Sequence, residues 1–162
     1  MHKKGVILYI GYKNTNTRSF TMEKLYSPKE LVEVATKGNT PPNCDLTLQL
    51  KPTFAEDGVA RGVWQVDEKF INGIGVVMGG YLAAATDTMM AYAISSKLKD
   101  NQAFTSIDLH TTFHRPTQIG EMYVEARVER LGKRTAYVVA DVIQNDKIVA
   151  SAVSSVLIME KL

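Results

Sequence analysis

Cys44 is the single cysteine among 162 residues. One thiol excludes an intrachain disulfide and any zinc site built on cysteines, and it fits a reducing cytoplasm. An excess of one charge is also missing: 19 Lys and Arg stand against 17 Asp and Glu, a formal net charge of +2. With no stripe of Lys or Arg, that balance leaves no footprint for nucleic acid. No apolar run approaches the roughly 20 residues that a membrane helix needs. The chain opens MHKKGVILYIG, but its apolar stretch is shorter than a signal core and YKNTNTRSF lacks a small-residue cleavage pattern. Residues 1–21 therefore read as a loose extension or an upstream start, with the more natural domain start near Met22. HExxH, CxxC and GxSxG are all absent, and no His lies between residues 3 and 109. Zincin, redox-dithiol and serine-hydrolase chemistries lose their usual residues. His110 and His114 share a strand face about 13 Å apart, too far to share a metal. No metal and no cofactor are expected.

What remains is an ordinary globular composition, 45% hydrophobic and 22% charged, sized for one domain. PKELVEVATK (28–37) reads as a helix, with Ser27 to cap it, Pro28 in its first turn and Gly38 to end it. NTPPNC (39–44) reads as a stiff connector. DLTLQLKPTF (45–54) places Leu46, Leu48 and Leu50 on one side, a strand pattern; VARGVWQVD (59–67) is its hairpin partner across a turn at residues 56–58. A helix is expected from about Met78 to Lys97. Four strands follow: TSIDLHTTFHR, with Ile107, Leu109 and Phe113 on one face; EMYVEARVERL, with Met122, Val124, Ala126 and Val128 inward; RTAYVVADVI; and KIVASAVSSVLIM. Gly120, Gly132-Lys133 and Asn145-Asp146 mark tight turns, which force antiparallel pairing. The expected architecture is α+β, an antiparallel sheet of about six strands wrapped round one long central helix. Residues 1–44 would form an N-terminal extension with a short helix, and residues 45–162 the main domain.

Between Lys69 and Lys97 one residue is charged, Asp87. A buried, unpaired carboxylate is costly, so this acid either reaches solvent or serves chemistry. It shares a helical stripe with Gly80, Ala83, Ala84, Met90 and Ala91. Gly79 and Gly80 open that helix, where free backbone N–H groups and the helix dipole favour developing negative charge. Asn72 stands just before them and could hold a water or a carbonyl. GIGVVMGG has the spacing GxGxxxG, which is not the dinucleotide fingerprint, and no alternating strand-helix pattern follows it. Met78, Tyr81, Met89, Met90 and Tyr92 are candidates to line an apolar pocket or to fill the core.

The order strand-strand-helix-meander, with NGxGxxxGG running into a helix that carries an Asp, resembles the hotdog-fold acyl-CoA thioesterases, in particular their phenylacetate-pathway branch. Asn72, Gly79, Gly80 and Asp87 match that branch's spacing; so do Arg115-Pro116, Gly120 and the Gly132-Lys133-Arg134 turn. The likeness spans about residues 45 to 160. Met78 stands where the family usually has His. The resemblance implies hydrolysis of a small aryl- or medium-chain acyl-CoA, with Asp87 as general base or nucleophile and the Gly79 and Gly80 amides polarising the thioester carbonyl. It adds Ser106 to the site, Arg115, Lys133 and Arg134 as contacts for the CoA phosphates, and sites shared between subunits of a homodimer or dimer of dimers. Met78 equally suits a hotdog protein that binds acyl-CoA or lipid without turnover. A hotdog hydratase would need a His beside the central helix, which this chain lacks.

Overall fold

A computed structural model describes residues 25–160. The expected domain start near Met22 lies outside them. Helix α1, Pro28–Lys37, forms as its sequence dictates. Ser27 and Glu30 exchange backbone-to-side-chain hydrogen bonds in a capping box, and Gly38 closes the helix at φ 70°. The next segment departs from the sequence reading. Residues Asn43–Leu48 are not connector and strand but a short helix, α2. Period-two leucines do not decide the matter, because two long-range bonds do. The Trp64 indole N–H donates to the Leu48 carbonyl at 2.6 Å, and the Tyr92 hydroxyl donates to Asp45 Oδ2 at 2.5 Å. Leu46 consequently points outward, 56% exposed, while Leu48 and Leu50 are buried.

The strands are β1 (Leu50–Glu56), β2 (Val59–Val66), β3 (Gln102–Ser106), β4 (His110–Phe113), β5 (Gly120–Leu131), β6 (Thr135–Gln144) and β7 (Lys147–Glu160). All pairings are antiparallel, in the order β1-β2-β5-β6-β7-β3, with β4 also on β7. The sheet of about six strands has seven because TSIDLHTTFHR, expected as one strand, breaks in two. Asp108 causes the break: its carboxylate accepts from the Ser155 N–H and its carbonyl accepts from the Ser154 hydroxyl, which hold the chain out of register. Ile107 and Phe113 are 59% and 53% exposed instead of sharing an inward face with Leu109. In β5 the alternation holds: Met122, Val124 and Ala126 are buried and Val128 packs partly buried against the same core.

The central helix, α3 (Gly79–Ser95), packs across β2, β5 and β6. Leu82, Ala85, Met89, Met90, Ala93 and Ile94 meet the sheet. An apolar side chain buried this fully contributes roughly 1.5–3 kcal/mol, so the helix and the curled sheet depend on each other. No helix among the described residues is long and apolar enough to cross a membrane.

Asp45, 1% exposed, accepts from both the Tyr92 hydroxyl and the Cys44 thiol. Burial outweighs these bonds and raises its pKa above the ordinary carboxylate value. Because the folded pKa lies above the unfolded one, the stability from this group is fully present below the unfolded pKa. It is lost as pH rises through the folded value. Asp45→Asn keeps the acceptor for Tyr92 and removes the charge. Relative to wild type, its melting temperature should gain on going from pH 4 to pH 8. Thermal melts at the two pH values check this; a variant that loses ground at pH 8 contradicts it.

Candidate active site

The start of α3 is set by the loop before it. Asn72 Oδ1 accepts from the N–H groups of Ile74 (3.0 Å) and Val76 (3.3 Å). The Asn72 N–H donates to the Val76 carbonyl at 2.8 Å, and Gly75 turns the chain at φ 82°. Val77 donates to the Thr117 carbonyl and Met78 to the Phe70 carbonyl, which fasten the loop to its surroundings. The oxygen of the Asn72 side chain is thus used within the loop, and its amide nitrogen is left as a donor.

Met78 is the N-cap, and no side chain caps the helix. Gly79 and Gly80 supply the first two helical N–H groups, which find no acceptor among the described residues. Gly80 is exposed. Gly79 lies on a cleft of about 420 Å³ with Asn72, Leu82, Phe113, Arg115 and Thr117. Thr117 is 1% exposed and its hydroxyl has no hydrogen-bond partner. An orphaned buried hydroxyl on the same cleft as the orphaned Gly79 amide marks a place built for a polar group that the chain does not itself supply. The Arg115 guanidinium donates to the Ile148 carbonyl, which steadies it on this cleft.

Asp87 lies eight residues after Gly79, about 12 Å farther along the helix axis. Its Oδ1 accepts from the Ser106 hydroxyl at 3.1 Å. The structure therefore brings together the two members Asp87 and Ser106, and separately Asn72, Gly79 and Arg115. Within one chain the acid and the glycine amides are too far apart to act on one carbonyl.

The other candidates distribute as follows. Met78 is 47% exposed, with its methyl group over Gly80. Tyr81 packs edge-on against Phe70 at 4.9 Å, and Met90 lies in the core. Lys133 and Arg134 are exposed on a different cleft, together with Lys99 and the start of β3. The three cations singled out in the sequence thus divide between two places. Lys99, Phe113 and Thr117 join these clefts through strand pairing and the β4–β5 loop, a proximity with no local sequence signal.

Comparison with known proteins bears on the family and the fold. The family model described as Thioesterase superfamily matches residues 74–151, which span the glycine turn, Asp87 and most of the meander. A Pseudomonas aeruginosa protein provisionally named an esterase is 30% identical over 107 residues, covering 64% of this chain and 80% of that relative. A phenylacetic acid degradation-related protein from Ralstonia eutropha superposes with a TM-score of 0.72 at 29% identity, covering 78% of this chain and 98% of that one. The E. coli PaaI protein of the phenylacetic acid degradation operon superposes at 0.65 with 26% identity, covering 71% and 87%.

Proposed function

The chain belongs to the thioesterase superfamily, and on that premise we propose that it hydrolyses a small aryl- or medium-chain acyl-CoA to the free acid and CoA at a site shared by two protomers. Two acceptor-less amides at an uncapped helix start, the first of them on a cleft with an orphaned hydroxyl, carry this reading. The thioester oxygen takes those amides as its hydrogen-bond donors. As the carbonyl becomes a tetrahedral oxyanion, the amides and the helix dipole hold the charge without reorganising.

The attacking group comes from the other protomer. Asp87, steadied by Ser106, takes a proton from a water whose oxygen bonds to the carbonyl carbon. The intermediate then collapses, the C–S bond breaks, and the CoA sulfur leaves with a proton. Asp87 could instead attack directly, giving an anhydride that water opens. A single turnover in labelled water bears on the choice: label in the Asp87 carboxylate, which arises when water opens the anhydride at the Asp87 carbonyl, establishes direct attack. The Asn72 amide nitrogen is placed to orient the thioester or the water.

The second protomer docks along β3, whose outer side pairs with no strand among the described residues. Ser106 ends that strand and already touches Asp87. Lys133 and Arg134, joined by Lys99, suit the CoA phosphates. Arg115 lies nearer the thioester.

A panel of acyl-CoA esters with detection of free thiol tests the reading. Thiol release from at least one aryl or medium-chain ester supports it. Binding of the panel without thiol release would instead establish a non-catalytic acyl-CoA-binding protein, the reading that Met78 in the family's His position favours.

A further inference from the structure

The geometry points to Phe113 as the residue that selects acyl groups, by placing its ring end over Gly79 at the mouth of the cleft. This inference rests on the thioesterase reading and concerns a residue that reading does not use. Phe113 belongs to β4, opposite Ala150 of β7, yet its ring leaves the sheet for the start of α3. A Cβ built on Gly79 would lie 2.7 Å from Phe113 Cζ and 3.1 Å from both Cε atoms. The 2.7 Å contact is shorter than real Cβ atoms make, so a side chain at position 79 would have to displace the ring. At Gly80 the only neighbour of a built Cβ within 4 Å among the described residues is the Met78 methyl group, at 3.0 Å, the free tip of a flexible chain.

The two glycines therefore have different reasons to be glycine. Gly79 makes room for an aromatic ring; Gly80 keeps an exposed amide at the helix start. Phe113 is 53% exposed, so core burial does not explain its position. It shares the cleft wall with Ile74, Val76 and Leu82, which makes that wall apolar. An acyl group whose carbonyl reaches the Gly79 and Gly80 amides must pass the ring end with its first carbon beyond the carbonyl. A flat or unbranched carbon fits beneath the ring, and a branched one meets it. A single misfit carbon in an apolar pocket changes kcat/KM by about 10–200-fold, which sets the size of effect to expect.

The test uses Phe113→Ala, Gly79→Ala and the double variant on isomeric acyl-CoA pairs, straight or branched next to the carbonyl. Phe113→Ala should raise the branched-to-straight ratio of kcat/KM by about tenfold or more. Gly79→Ala should lower the melting temperature, while the double variant melts no lower than Phe113→Ala alone, since removing the ring frees space for the methyl. A ratio that stays within about twofold of wild type, or a double variant with both penalties added, overturns the assignment. If wild type releases no thiol from any ester, the hydrolase reading fails by itself. The same branched-to-straight ratio is then read as Kd for ketone analogues in which CH2 replaces the sulfur, and Phe113 stands or falls on that ratio.

Discussion

Asp87→Ala lowers kcat on the best acyl-CoA by at least about 10²-fold, the usual worth of a positioned base, and more if the carboxylate is the nucleophile. The fold should survive. Asp87 is only partly buried, its one described bond is to Ser106, and that hydroxyl is exposed and can turn to water. The melting temperature should therefore stay near that of wild type, separating lost chemistry from lost structure. Asp87→Asn keeps the size and the Ser106 bond, so it should be nearly as inactive and even closer to wild type in stability. An Asp87→Ala variant with unchanged kcat would remove the acid from the mechanism.

Gly80 gives the second large effect, and the direction depends on the substituent. Gly80→Pro deletes a single N–H. Proline suits the first turn of a helix, where that N–H has no intrahelical partner, and the Met78 methyl that it would meet can move aside. Loss of one donor to an oxyanion costs about 10²–10³ in kcat. Gly80→Ala adds a methyl group but keeps the N–H, so it should lose far less. Steady-state kinetics with both variants, alongside their melts, check the pair. Equal losses would mean that bulk, not the amide, matters at this position.

These expectations draw on parts of the molecule that the sequence reveals unequally. The α1 cap, the glycine turn, the long apolar helix and the alternation of β5 are local patterns, and each appears in the structure where its residues place it. Three features escape a local reading because remote partners decide them. Asn43–Leu48 is helical because Trp64 and Tyr92 hold Leu48 and Asp45, against an alternation of leucines that suits a strand. β3 and β4 separate because Asp108 bonds to Ser154 and Ser155 in β7. Phe113 looks like one more strand residue until its ring is seen over Gly79. At the site the pattern is the same. Asn72, Gly79 and Gly80 are neighbours in sequence and share one loop and helix start, whereas Thr117 reaches the cleft only through the turn between β4 and β5.

The 12 Å or so between Asp87 and the glycine amides of one chain makes the shared site the central claim. Mixing Asp87→Ala and Gly80→Pro protomers, by refolding them together, tests it most directly. Each variant alone is inactive. A mixed dimer holds one complete site, built from the intact glycines of the first chain and the intact acid of the second. An equal mixture should regain about a quarter of wild-type activity, since half of the dimers are mixed and each carries one of two sites. Mixed dimers that form and yet show no activity beyond that of the separate variants would contradict a site shared between protomers.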